Sequence, residues 1–135
     1  MSSPLFESLD YLYQPAPEIR AALRFYVETL GGELLWRIRD GDTWVAAVRL
    51  AGAGPLVLLA NHLATGRGLL VYRTRSVADT QRTLIDQGWS VDGGPFELPQ
   101  GPCIVFRDPG EQRLAAYQRV RPGMDERFRG RFDAL

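Results

Sequence analysis

The sequence predicts an α+β domain in which two βαβββ units contribute strands to one mixed sheet. Three observations carry that expectation. Short runs alternate apolar and polar residues, two segments place apolar residues at helical steps, and the second half repeats the strand and helix order of the first.

The alternation Leu9-Asp10-Tyr11-Leu12-Tyr13 marks the first strand, and Pro15-Ala16-Pro17 stops it and suits a helix start. From Glu18, the positions Ile19, Ala22, Leu23, Tyr26, Val27 and Leu30 form one apolar stripe, with Gly31-Gly32 as the stop. Three strands are expected next, over residues 33–39, 43–50 and 55–60, the first two joined by the Asp40-Gly41-Asp42 turn. A connector over 61–67 leads to a second pass: a strand at 69–74, then a helix at 77–87 with Ser76 as N-cap and Asp79 in the acidic position of a capping box. Gly88 ends that helix, and Trp89 behind it is expected in the core. Short strands near 89–91 and 96–98, and longer ones at 102–108 and 113–120, complete the repeat. The units cover about 7–60 and 68–120 of a single domain spanning 1–120. In the tail, 121–135, Met124, Phe128 and Phe132 fall at four-residue steps, which predicts a short helix capping its own domain or a partner, or a lid over a ligand.

Composition narrows the function. Sixteen basic residues balance sixteen acidic ones, so no net field recruits nucleic acid or an anionic membrane. No run approaches the roughly 20 apolar residues of a spanning helix. The lone Cys103 excludes an intrachain disulfide and a cysteine zinc cluster, and a reducing cytoplasm is the simplest setting. With His62 as the single histidine, set in a loop, no Ser-His-Asp, Cys-His or paired-carboxylate arrangement is visible, and no catalytic residue is assigned.

Three local patterns carry a resemblance. Ala22-Leu23-Arg24-Phe25-Tyr26-Val27-Glu28-Thr29-Leu30-Gly31 looks like the first helix of the vicinal-oxygen-chelate superfamily, which includes glyoxalases, bleomycin-resistance proteins and dioxygenases. Phe106-Arg107-Asp108-Pro109-Gly110-Glu111-Gln112-Arg113-Leu114 is similar to its final hairpin, although Gly110 and Glu111 stand where Asp then Gly are expected. The segment 77–88 occupies the place of its second helix. The resemblance covers residues 9 to about 118. It implies a sheet curved into a cup, and a homodimer.

The same resemblance locates the positions where metal-dependent members carry His, Gln or Glu: Tyr11, a position near Leu59, Leu69 and Ala115. Leu and Ala have no lone pair to give a divalent ion, so no metal and no cofactor is expected. The chain resembles the bleomycin-resistance branch most. Taking these positions as inward, period two adds Leu9, Tyr13, Val71, Arg73, Arg113 and Tyr117 to the concave side, and the comparison adds Cys103, Val105 and Arg107. Trp36 and Trp44, beside the Asp-Gly turn, could add stacking surface or pack against a helix or a subunit. The expected ligand surface is Tyr11, Tyr13, Trp36, Trp44, Leu69, Arg73, Cys103, Arg113, Ala115 and Tyr117, suited to a planar or partly apolar small molecule. Cys103 reads as a buried inert thiol rather than a nucleophile. Three functions remain open: a metal-independent small-molecule binder that sequesters an antibiotic or aromatic metabolite, a metal-free lyase or isomerase of the superfamily using Tyr11, Arg73 or Arg113, and a non-catalytic subunit with a vestigial cup.

Overall fold

The computed structural model describes residues 4–63 and 68–135, without the side chain of Asp125. The expected connector therefore lies partly outside the described residues. The chain divides into a first unit, Met1–Asp10 with Leu69–Met124, and a second unit, Tyr11–Gly68 with Asp125–Leu135. In this grouping the break falls at Asp10 and residues 125–135 go with the second unit.

Among the described residues there are eight strands: β1 (Ser8–Pro15), β2 (Glu33–Asp40), β3 (Thr43–Arg49), β4 (Leu56–Ala60), β5 (Leu69–Thr74), β6 (Val91–Glu97), β7 (Pro102–Arg107) and β8 (Arg113–Gln118). The helices are α1 (Ile19–Leu23), extended by a π-helical turn over Arg24–Thr29, α2 (Val77–Asp86) and α3 (Met124–Phe128). The mixture of parallel and antiparallel pairs with few helices is the α+β class that the sequence predicts.

In the second unit the strand order is β2-β3-β4-β1, with β1 parallel to β4 and the other pairs antiparallel. Alternation sends Ala46, Val48, Val57 and Leu59 to one face, where they pack with Ile19 and Leu23 of α1 and with Ala16 just after β1. The apolar stripe does not persist to the helix end. The π turn closes with a Leu30 N–H to Phe25 carbonyl bond of 3.0 Å, five residues back, and the extra residue per turn rotates the later positions away from the sheet. Leu30, expected inside, is consequently exposed. Gly31, at φ 77°, then ends the helix, as its position predicts.

The tail also departs from a single helix. Gly130, at φ 83°, breaks it, and the chain beyond runs along the free edge of β2. Arg37 donates its N–H to the Arg131 carbonyl at 2.8 Å, and the Asp133 N–H donates back to the Arg37 carbonyl at 2.8 Å. The Asp133 carboxylate accepts from the Arg39 N–H at 2.9 Å. The tail satisfies an edge that would otherwise be open to pairing with another chain.

In the first unit the order is β5-β8-β7-β6, with β5 parallel to β8. One face carries Ile104, Phe106 and Ala116 against Val77 of α2, with Phe6, Leu84, Val91 and Leu114 around them. Phe6 stacks on Tyr72 at 4.8 Å between ring centroids. Ser76 caps α2 as expected, its Oγ accepting the Asp79 N–H at 3.1 Å. A buried hydrogen bond of 2.7 Å joins the Thr74 and Thr80 hydroxyls and so ties α2 to the end of β5. The two short strands expected at 89–91 and 96–98 are one irregular strand, β6, whose register shifts twice around Gly93 and Gly94. Trp89, expected in the core, is exposed because it lies in the turn before β6 begins.

The β7–β8 hairpin explains its departure from the superfamily pattern. The residue with positive φ is Glu111, at 70°, the position where the pattern expects glycine. Asp108 holds the turn, accepting the Glu111 N–H on its carbonyl at 3.0 Å and the Gln112 N–H on its carboxylate at 2.9 Å. A left-handed conformation costs a non-glycine residue about 1–2 kcal/mol. The exposed pairing of Glu111 with Arg107, at 3.0 Å, offsets only part of that cost. Glu111→Gly is therefore expected to raise the midpoint of thermal unfolding by a few degrees, as followed by circular dichroism; an unchanged or lower midpoint would show that the ion pair outweighs the backbone strain.

Candidate functional site

Strand register assembles the polar centre of the first unit. Arg73 on β5 pairs with Tyr117 on β8, and Tyr117 pairs in turn with Cys103 on β7. Val71, Ala115 and Val105 form the next row on the same face. This face is turned away from α2. Val71, Cys103, Val105, Ala115 and Tyr117 are all buried on it, so it is an apolar surface interrupted by the Arg73 guanidinium and the Tyr117 hydroxyl.

Both polar groups converge on Asp10. The Tyr117 hydroxyl donates a short hydrogen bond to the Asp10 carboxylate, and Ser8 donates to its other oxygen at 2.6 Å. Arg73 Nε lies 3.6 Å from Asp10 Oδ2, an ion-pair distance rather than a hydrogen bond, and Nε is buried without another acceptor. The side chains of Arg73 and Asp10 keep 30% and 21% of their surface exposed, so the pair sits at the boundary between the apolar face and solvent. Burial, and secondly the bond to Asp10, push the Tyr117 hydroxyl well above the ordinary phenol range. Tyr117 thus stays protonated at neutral pH as a donor to Asp10. Asp10 balances Arg73, and Arg73 remains the group able to reach outward.

The second unit has its own aromatic face. Tyr13 pairs with Leu58, Leu58 with Ala47, and Ala47 with Trp36. Tyr11 shares this side of β1, and it and Trp36 are buried. Burial raises the Tyr13 hydroxyl to about 12. Trp36 Nε1 is buried without a hydrogen-bond partner, and its ring lies 5.3 Å from that of Phe128 in the tail.

Some expected site residues are separated by the fold. Trp44 pairs with Arg39, three residues from Ala47 along β3, and so faces opposite to Trp36; it packs beside the α1 core with the Arg39 guanidinium 5.7 Å over its ring. Leu59, the expected second ligand position, also packs against α1, and Leu58 takes the Tyr13 side. Arg113 pairs with Arg107 at the far end of the hairpin, four residues from Tyr117, or about 13 Å along the strand. Leu69 lies on the Arg73 side of β5, four residues away. His62 is exposed in its loop, with its ring edge-on to Tyr13 at 6.0 Å.

Asp10 stands outside the ligand surface expected from the sequence. A polar residue in the run Leu9-Asp10-Tyr11 was a signal, but two of its partners, Arg73 and Tyr117, come from strands more than sixty residues away. The donor set does not fit a divalent ion. In the first unit Leu69 and Ala115 offer no lone pair, and both oxygens of Asp10 already accept hydrogen bonds. Among the described residues no group of three or more His, Cys, Asp or Glu side chains comes together.

Cys103 is buried, and burial pushes its thiol up to about 11. At pH 8 iodoacetamide should therefore alkylate the folded protein about a hundredfold more slowly than free cysteine, since thiolate is scarce and access is limited. Equal rates in the folded state, followed by mass spectrometry, would contradict the burial of this face.

Comparison with known proteins agrees with this architecture. The model of the Glyoxalase/Bleomycin resistance protein/Dioxygenase superfamily matches residues 8–115. No curated protein matches the chain in sequence. Among solved structures, methylmalonyl-CoA epimerase from Mycobacterium tuberculosis is 15% identical and has a TM-score of 0.69 over 90% of this chain and 93% of that one. Methylmalonyl-CoA epimerase from Streptomyces coelicolor is 14% identical, with a TM-score of 0.66 over 86% and 99%. An antibiotic binding protein from Streptomyces sp. CB03234 is 27% identical over 87% of this chain and 100% of that one, with a TM-score of 0.42. The two epimerases share the fold.

Proposed function

Because the chain belongs to the Glyoxalase/Bleomycin resistance protein/Dioxygenase superfamily, we propose that it binds a planar or partly apolar small molecule without a metal, using Arg73 as the polar handle. The observation that carries this reading is the Asp10, Tyr117 and Arg73 cluster, set in an apolar face whose superfamily metal positions hold aliphatic side chains. Arg73 is held on one side by Asp10, which leaves the outer part of its planar fork to meet a ligand carboxylate or carbonyl. Leu69 is the partly exposed apolar side chain on the same face, with Val71, Cys103 and Ala115 buried around it. Tyr11, Tyr13 and Trp36 give the second unit a face of similar chemistry, suited to stacking. Sequestration of an antibiotic or an aromatic metabolite is the function such a surface serves.

A homodimer working in the cytoplasm belongs to the same proposal. Phe25 and Leu30 in one unit, and Trp89 and Phe96 in the other, are large exposed apolar side chains that a second copy could cover. Among the described residues no helix is long and apolar enough to cross a membrane.

Calorimetric titration with a panel of planar antibiotics and aromatic carboxylic acids tests the proposal. At least one compound should bind saturably, and Arg73→Ala should weaken it about tenfold or more while the far-ultraviolet spectrum is unchanged. No saturable binding across the panel, or an affinity indifferent to Arg73, would overturn the reading.

A further inference from the structure

A cavity of about 400 Å³ opens in the second unit between the start of β2, the end of β3 and the tail. Glu33, Leu35, Arg49, Arg129 and Phe132 are among its lining residues. That volume lies toward the lower end of the range for small-molecule sites.

Arg49 gives the cavity its meaning. It pairs with Glu33 in the β2–β3 register, yet its guanidinium makes no ion pair among the described residues. Its Nε is buried and has no hydrogen-bond acceptor. A buried charged donor without an acceptor is rare in folded proteins, and where one persists an ion, a water or a ligand group commonly supplies the missing lone pair. Arg129 approaches the same space from the tail and is likewise without an ion pair among the described residues. Two guanidinium groups against one Glu33 carboxylate leave one positive charge uncompensated, while Leu34, Leu35 and Phe132 make part of the wall apolar.

We infer that this cavity is a binding site for a monoanionic carboxylate with an apolar body, gripped between Arg49 and Arg129. The inference is independent of the Arg73 site, which lies in the other unit. A carboxylate matches the guanidinium fork in shape and balances the uncompensated positive charge at the part of Arg49 that lines the cavity. Because Arg129, Gly130 and Phe132 belong to the tail, a bound carboxylate would also fasten the tail to β2 and β3. The Gly130 N–H already donates to the Leu35 carbonyl at 3.0 Å, so that backbone bond reports on the docked tail.

Calorimetric titration of the full chain with benzoate, with benzyl alcohol as a neutral analogue and inorganic phosphate as an anion without an apolar body, tests the inference. Benzoate should bind saturably and the other two should not. Arg49→Gln and Arg129→Gln should each weaken benzoate about tenfold, whereas Arg82→Gln, on the exposed face of α2, should leave this binding unchanged. Benzoate should also slow hydrogen exchange at the Gly130 and Asp133 amides. If Arg49→Gln fails to fold, Arg129→Gln on the exposed tail carries the test. No saturable benzoate binding, equal binding of benzyl alcohol or phosphate, or loss through Arg73→Ala alone would overturn the inference.

Discussion

The carboxylate of Asp10 is the constraint on which the chemistry of the first unit depends. It accepts from Ser8 on its own strand and from Tyr117 on β8, and it sets the charge beside Arg73 on β5. Ions half removed from water survive only where partners replace the hydration they lose. Remove the carboxylate, and Arg73 becomes an unpaired charge at the edge of an apolar face while the Tyr117 hydroxyl loses its acceptor. One side chain therefore decides both the stability of that face and the direction in which its cation can act.

The period-two alternation of the strands divides the remaining residues between two tasks. In each unit, one face of the strands packs against a helix and fills a core, with Leu59 and Ile104 fully buried there. The opposite face carries Tyr13 and Trp36 in one unit, and Arg73, Cys103 and Tyr117 in the other. The positions that could have held a metal lie among aliphatic side chains, so the polar work falls to a hydroxyl, a carboxylate and a guanidinium. On the proposed function, such a set orients a ligand by hydrogen bonding and charge.

Most of the fold was legible because its signals are local. Proline before α1, the glycine that ends it, the Ser76 cap and the Asp108 turn each act within a few residues, and each lies where the pattern places it. The π turn was hidden because one extra residue per turn leaves no mark in a three- and four-residue pattern, and it turned Leu30 outward. The single strand β6 was obscured by Gly93 and Gly94, which read as a break. The site was legible by face rather than by contact. Alternation placed Arg73 and Tyr117 on one side, but only the parallel register of β5 with β8 set them side by side. Trp44 takes the helix-packing alternative, which the sequence left open because nearness to a turn does not say which face a side chain takes, and the pairing of Asp10 was hidden because Arg73 and Tyr117 are distant in sequence.

Recognition without a metal is tested by titrating the chelator-treated protein with zinc and manganese. Neither ion should give saturable heat, and the affinity for the best ligand of the panel should be the same with and without them. Stoichiometric binding of either ion that is needed for ligand binding would contradict it.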